Sequence, residues 1–147
     1  MRILYKIILL LFISQLNFAQ VAGEDKSELV QIKFETADTL FNKIKIGLTK
    51  GEIEKFNMYL DNKTYISLSN GKMGYYSSNQ IYYIFEDFFD SYKPFDFDYS
   101  TVRAGSQKPF ASGTLKYINN GKHKAAKVFV SLIRILGKWK ISQLTIN

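Results

Sequence analysis

Residues 77–100 read SSNQIYYIFEDFFDSYKPFDFDYS and contain a helix signal that runs directly into a strand signal. Ser77 and Gln80 match a capping box, in which the two side chains satisfy free backbone groups at the start of a helix. The apolar residues that follow recur at helical spacing, and they are Ile81, Ile84, Phe85, Phe88 and Tyr92. The spacing predicts a helix that ends before Pro94 and buries a broad aromatic face, as a helix on a curved sheet would.

The residues after Pro94 alternate between aromatic and polar side chains with a period of two. The aromatic positions are Phe95, Phe97 and Tyr99, and the polar positions are Asp96, Asp98 and Ser100. A period of two is typical of a strand with one buried face. We therefore expect the rings to face the core and the carboxylates to face away from it.

The next part of the chain predicts a hairpin of two strands. Residues 110–118 and 125–135 carry the strand patterns, and Asn120-Gly121 between them is a tight-turn signal because both of its residues tolerate positive φ. The second strand is apolar on both faces. We therefore expect both of its faces to be covered.

The last strand, residues 139–146, follows a turn at Gly137-Lys138. Its apolar positions change parity half-way along. A bulge near Ser142-Gln143 would restore the alternation and keep all of them on one face.

On the N-terminal side, residues 27–48 and 52–60 have apolar side chains at three- and four-residue spacing and predict two helices. Residues 64–67 predict a strand, and Asn70-Gly71 predicts a second hairpin turn. The predicted order is ααββαββββ. Helices segregated from a consecutive antiparallel sheet indicate the α+β class.

Residues 1–19 have the three-part layout of a secretory signal peptide. Arg2 and Lys6 precede the apolar run 7–13, and Ala19 is a small residue suited to cleavage. The run is shorter than the roughly 20 residues of a transmembrane helix, although an uncleaved anchor is the alternative. No Cys follows it, which argues against a lipoprotein.

We therefore expect an exported protein, periplasmic or extracellular. Residues 20–35 would form a polar lead-in or an extension of the first helix, and residues 36–147 would form one domain of ordinary size.

Composition limits both the folding and the chemistry. The chain has 147 residues, including 12 Phe, 10 Tyr, 1 Trp and no Cys. The rings bury large areas each, so they can fill a core or line a ligand pocket. The missing Cys excludes disulfides, thiolate metal sites and Cys nucleophiles. An exported domain without disulfides depends on its apolar core.

Charge is distributed unevenly along the chain. The net charge is +7, and residues 101–147 carry nine Lys or Arg and no Asp or Glu. This region forms either a solvated face or a surface for an anionic or envelope partner, such as a lipid headgroup, an acidic glycan or an acidic protein. The candidate basic surface consists of Lys116, Lys122, Lys124, Lys127, Lys138 and Lys140. Export argues against nucleic acid as the partner.

The sequence contains none of the common catalytic or metal-binding motifs. His123 is the only histidine, and its place beside a hairpin turn predicts an exposed loop residue. A lone His cannot form a metal site by itself. Phosphate-binding loops, nucleophile elbows and zinc motifs are absent from the sequence. We predict no catalytic residue, no metal and no cofactor.

The order of elements resembles the nuclear-transport-factor-2-like (cystatin-like) fold, and in particular a family of small exported bacterial domains of unknown function with that fold. The resemblance covers residues 40–147. The matching positions are Tyr76, Ser77, Gln80, Phe88, Phe89, Phe95, Ala111, Gly113, Leu115, Gly137, Lys138, Trp139, Ile141, Gln143 and Leu144. It implies a strongly bent antiparallel sheet that wraps the third helix into a cone, and it implies no established activity.

The cone suggests where a ligand could bind. Eight side chains could line its mouth, namely Tyr75, Tyr82, Phe85, Phe97, Tyr99, Leu115, Tyr117 and Trp139. The same rings could instead fill the core.

The sequence favours the first of three functions and leaves the other two as alternatives. The first is a non-catalytic binding or interaction module, which could form a homodimer through a sheet face. The second is a binder of a small apolar ligand in the cone. The third is an isomerase- or dehydratase-like enzyme, which requires an acidic side chain that points into the cone beside a Tyr.

Overall fold

The structure, a computed structural model, describes residues 35–147. The predicted signal peptide and nearly all of the predicted lead-in lie outside the described residues. The two helices are Ala37–Lys50 (α1) and Ser78–Ser91 (α2), and two single 3₁₀ turns are Ile53–Lys55 and Asn57–Tyr59. The strands are Leu60–Leu68 (β1), Met73–Tyr76 (β2), Lys93–Arg103 (β3), Phe110–Asn119 (β4), Lys122–Ile135 (β5) and Lys138–Ile146 (β6).

The six strands form one sheet in the order β2-β1-β6-β5-β4-β3. All neighbours are antiparallel except β1 and β6, which are parallel. The sheet is therefore mixed, and the prediction of a fully antiparallel sheet is wrong at this pair. Tight hairpins impose antiparallel neighbours, whereas β1 and β6 are joined through most of the domain, so no turn constrains their direction.

The first helix begins at Ala37, after Thr36, whose hydroxyl accepts a hydrogen bond from the Thr39 amide at 3.2 Å. The predicted earlier part of this helix, residues 27–34, lies outside the described residues. Gly51 ends the helix in the left-handed conformation, with φ of 69°, which glycine adopts without steric cost.

The predicted second helix is absent, and the two 3₁₀ turns take its place. Ile53, Phe56 and Tyr59 recur every three residues and are all buried, with at most 6% of the surface exposed. A three-residue repeat is the period of the 3₁₀ helix. A segment this short also gains too few hydrogen bonds to offset the cost of starting an α-helix.

The helix α2 confirms the capping box at its start. The Ser77 hydroxyl accepts from the Gln80 amide, and the Gln80 side chain accepts from the Ser77 amide. Its buried residues are Ile81, Phe85, Phe88 and Phe89. Ile84 and Tyr92 are only partly buried and pack against the same core.

The core lies between the two helices and the inner face of the sheet. The helix α1 contributes Leu40, Phe41, Ile44 and Leu48, and the long strand β5 contributes Ala126, Val128, Val130 and Leu132. Ser131 of β5 pairs with Gln143 of β6, and the next residue of β5, Leu132, pairs with Ile141. Ser142 is therefore the extra residue of a bulge in β6. The predicted bulge is confirmed, and it keeps Ile141, Leu144 and Ile146 buried.

Both hairpin turns lie where the sequence predicts them, but only one of them has the predicted turn type. Asn120 and Gly121 both have positive φ, at 50° and 71°, as the tight turn requires. At the other predicted hairpin only Gly71 has positive φ. There the Leu68 amide donates to the Lys72 carbonyl, which makes the loop longer than two residues.

Leu136 is a strained turn residue, and Leu136→Asn is expected to stabilise the domain by about 1 kcal/mol. Leu136 precedes Gly137 in the β5–β6 turn, has a φ of 48° and is 98% exposed. Asn tolerates this conformation far better than Leu does. Urea unfolding would measure the gain.

The mirror substitution at the other tight turn provides the control for this prediction. Asn120→Leu places Leu in the same backbone conformation, so this variant is expected to lose about 1 kcal/mol of stability. A loss of stability in Leu136→Asn would contradict the prediction.

Candidate functional site

The interior of the predicted cone is filled by four of the side chains that were expected to line it. Phe85 and Leu115 are 0% exposed, Phe97 is 1% exposed and Tyr117 is 5% exposed. The Phe85 ring meets the rings of Phe56 and Phe89 edge-on, at centroid distances of 6.0 and 5.3 Å. These side chains therefore act as core residues.

Tyr99 is partly buried beside this core. Its hydroxyl donates to the backbone carbonyl of Phe41 at 3.0 Å, which ties β3 to α1. Burial raises the pKa of Tyr99 well above its usual range. The hydroxyl stays protonated, and its one donor is used within the fold.

The other three predicted lining residues lie at the periphery. Tyr75 is 67% exposed on β2 and packs against Tyr65. The hydroxyl of Tyr82 donates to Glu54 at 2.8 Å, and this hydrogen bond raises the pKa of Tyr82 to about 12. Trp139 lies under the Arg134 guanidinium, 5.3 Å from the ring centroid. The structure thus does not bring the eight residues together around one opening.

A groove of about 500 Å³ opens elsewhere, where the end of α1 meets α2 and the start of β3. Its lining residues are Lys50, Gly51, Ile53, Glu54, Glu86, Phe89, Asp90, Lys93 and Pro94. None of them belongs to the predicted lining. The only sequence feature that points to this groove is the acidic side of α2, and such a side is equally typical of a solvated helix face.

The groove is lined largely by charged side chains, and its carboxylates lack the burial of an acid–base site. Its three carboxylates, on Glu54, Glu86 and Asp90, are exposed, whereas general bases of this kind are normally buried. Within residues 35–147, no group of three or more His, Asp or Glu side chains is arranged to hold a metal ion.

Within residues 35–147, the inner face of the sheet carries no buried carboxylate. The buried polar side chains in the same range are Thr64, on the inner face, and Ser67, on the outer face. Asp96 and Asp98 lie on the opposite side from Phe97, as the alternation predicts, and they pair with Lys116 at 2.8 Å and Lys45 at 2.5 Å.

Phe95 breaks the alternation. The pairing of β3 with β4 shifts register between Pro94 and Asp96, so Phe95 leaves the core side. Its ring is 45% exposed and lies 5.3 Å from the imidazole of His123. The prediction that Phe95 faces the core is therefore wrong.

The outer face of the sheet, opposite the helices, has a central charge-free zone made of two cross-strand rows. One row is Phe110, Ser131, Gln143, Tyr65 and Tyr75, and the next is Ser112, Phe129, Thr145, Ser67 and Met73. On β3 the two rows continue to Arg103 and Thr101, so the charge-free zone ends at β4. The rings of Phe110 and Phe129 stack with centroids 6.0 Å apart. Ile133, beside them on β5, is 47% exposed.

The prediction that both faces of β5 are covered is wrong for the described part of the chain. The two helices pack on the inner face only, which leaves Phe129 and Ile135 half-buried and Ile133 exposed. An apolar stripe open to water in this way is typical of an interaction surface.

The predicted basic surface is divided between the two ends of the sheet. Lys116, Lys122, Lys124 and Lys127 lie on the part of the β4–β5 hairpin near its turn, whereas Lys138 and Lys140 lie at the start of β6. The 14 residues of β5 separate these ends by about 45 Å. Lys116 is also paired with Asp96, so the six do not form one surface.

No helix within residues 35–147 combines the length and the apolar character needed to cross a membrane.

Residues 41–147 match the model of the family described as Domain of unknown function (DUF4783). The chain belongs to the DUF4783 family. A comparison with curated protein sequences gave no match.

Solved structures agree with this assignment. A DUF4783 family protein from Bacteroides uniformis ATCC 8492 has a TM-score of 0.64 at 19% identity, over 72% of this chain and 94% of that chain. One from Bacteroides fragilis YCH46 has a TM-score of 0.62 at 21% identity, over 71% and 93%. The expected resemblance to a domain of unknown function is confirmed.

The fold of the DUF4783 domain extends beyond its own family. An NTF-2 like protein of unknown function from Shewanella oneidensis MR-1 has a TM-score of 0.56 at 10% identity, over 74% of this chain and 93% of that chain. Identities this low show the fold alone. The α+β class and the nuclear-transport-factor-2-like fold are both confirmed.

Proposed function

We propose that this DUF4783 domain is an exported, non-catalytic interaction module that pairs with a second copy of itself through the charge-free zone of the outer sheet face. The observation that carries the proposal is the pair of cross-strand rows in which none of the ten side chains between β4 and β2 is charged, with Arg103 of β3 at the margin. Stable interfaces are depleted of charge at their centre and enriched in aromatic residues and Met.

The surroundings of the zone support the same proposal. The Asp96–Lys116 ion pair and Lys127 border it on one side, which resembles the polar rim around an apolar interface centre. Two copies related by a two-fold axis would present the same surface to each other, so the Phe110–Phe129 stack of one could cover that of its partner.

The other candidate functions have less support. The side chains of Phe85, Phe97 and Leu115 occupy the interior that a small apolar ligand would need. An isomerase-like enzyme would need a carboxylate on the inner face of the sheet, and Asp96 and Asp98 lie on the other side.

The test is the mass of the exported protein in solution, with Phe129→Glu as the variant. We expect the natural chain to form a dimer, and the variant to dissociate at least tenfold more readily because it buries a charge at the centre of the interface. Light scattering after size-exclusion chromatography, over a range of concentrations, measures both.

Two further variants make the result specific. Tyr83→Glu changes a ring that is 70% exposed on α2, so it should leave the dimer intact. Ile133→Glu repeats the test at a more exposed position in case Phe129→Glu fails to fold. A natural chain that stays monomeric at high concentration would overturn the proposal.

A further inference from the structure

The end of the β4–β5 hairpin combines basic and apolar side chains in one place. The register aligns Lys93, Ile118 and His123 across three strands on the outer face of the sheet. Lys122 and Lys124 are the neighbours of His123 along β5, so they project from the inner face at the same end of the sheet. We call these five residues, together with Phe95, the hairpin tip. Its turn, at Asn120 and Gly121, is the tight turn already described.

The tip carries an excess of positive charge. Within residues 35–147, Lys93, Lys122 and Lys124 form no ion pair within 4.0 Å. The neighbouring Asp96 is engaged with Lys116. Asp90 and Asp96 are each three residues from Lys93, and Lys93 lines the groove together with the carboxylate of Asp90. The excess of positive charge therefore lies at Lys122 and Lys124. A surface of this kind attracts an anionic partner.

The apolar part of the tip indicates which anionic partner. Phe95 is 45% exposed against His123, and Ile118 is half-buried beside them. A soluble polyanion would be bound by the lysines alone and gains nothing from an exposed ring. A lipid surface uses both, since lysines reach the phosphates while the ring enters the boundary between headgroups and acyl chains.

We infer that the hairpin tip docks end-on on an anionic membrane surface, so that Lys122 and Lys124 on one face of the sheet reach lipid phosphates and Phe95 on the other face enters between headgroups. The inference goes beyond pairing through the outer face and does not depend on it. The Asp96–Lys116 pair and Lys127 separate the tip from the charge-free zone. Each surface can therefore be tested without altering the other.

The test is cosedimentation of the exported protein with lipid vesicles. We expect binding to vesicles that contain phosphatidylglycerol, no binding to vesicles of phosphatidylcholine alone, and weaker binding as salt is raised. Lys122→Glu/Lys124→Glu should reduce the affinity by about tenfold or more. Phe95→Ala should reduce it by about threefold or more, because the inserted ring is lost.

The matched control is Lys108→Glu/Lys138→Glu. Lys108 is exposed in the β3–β4 loop and Lys138 is exposed at the start of β6, both at the opposite end of the sheet, and the double substitution changes the net charge by the same amount. Charges this far away are screened beyond about 8 Å at physiological salt. The control should therefore change the affinity by less than about twofold.

Three results would overturn the inference. The first is no binding to phosphatidylglycerol vesicles at low salt. The second is an equal loss in both double variants, which would mean that only net charge matters. The third is unchanged binding of Phe95→Ala, which would point to a soluble polyanion. If the Glu pair fails to fold, Lys122→Gln/Lys124→Gln replaces it, with an expected loss of about threefold or more.

Discussion

Gly113→Ala is expected to destabilise the domain by about 3 kcal/mol, although it adds only one methyl group. A Cβ atom at Gly113 would lie 2.2 Å from the backbone carbonyl oxygen of Asp98 and 2.9 Å from the ring of Phe97. The register of β3 shifts between Tyr99 and Thr101, next to Gly113, so the backbone of β3 approaches β4 closely there. A backbone atom held by a strand ladder cannot move away cheaply.

Urea unfolding of Gly113→Ala beside Gly105→Ala would test this expectation. Gly105 lies in the β3–β4 loop and has no atom within 4 Å of its would-be Cβ. The control should therefore change the free energy of unfolding by no more than about 0.5 kcal/mol. Equal effects of the two substitutions would show that loss of glycine itself, and not the close approach of the strands, determines stability.

Phe85→Ala is expected to cost about 4 kcal/mol, the largest effect of any single substitution considered for this domain. Phe85 is 0% exposed and its ring contacts those of Phe56, Phe88 and Phe89. Removing it leaves a cavity between α2 and the residue that joins the two 3₁₀ turns. Phe88 and Phe89 are held by the same helix and Phe56 lies between the two turns, so the rings cannot all collapse into the space.

The control for this substitution lies two residues away on the same helix. Tyr83 is 70% exposed, so Tyr83→Ala should cost no more than about 0.5 kcal/mol, although it removes a ring of similar size. Thermal or urea unfolding of the two variants distinguishes burial from helix propensity, because both substitutions introduce the same residue. A cost near zero for Phe85→Ala would mean that a ligand space, and not packing, surrounds this ring.

Local patterns predicted the secondary structure well where neighbouring residues determine it. The capping box at Ser77 and Gln80, the turn at Asn120-Gly121 and the bulge at Ser142 each depend on residues only a few positions apart. The prediction of a second helix was wrong for a related reason. A short run with apolar residues every three or four positions fits one turn of α-helix and a 3₁₀ turn equally well.

The candidate sites were predicted less well, because each of them is assembled from distant segments. The sequence pattern of Phe97 and Tyr117 fits a pocket-lining residue and a core residue equally well. Only their burial in the structure shows that they are core residues. The groove joins Lys50 of α1 to Glu86 of α2 and Lys93 of β3, a grouping that no spacing along the chain indicates. The position of Phe95 on the outer side depends on one register shift.

The sequence by itself determined the α+β class, the family and most of the strands of this DUF4783 domain. These properties follow from periodicity, turn chemistry and composition, which act over a few residues at a time. The tertiary structure alone decided the parallel β1–β6 pair, the division of the basic residues between two ends, and the charge-free zone on the outer face. Those features depend on which strands become neighbours, and the free energy that selects neighbours comes from packing the whole sheet against its two helices.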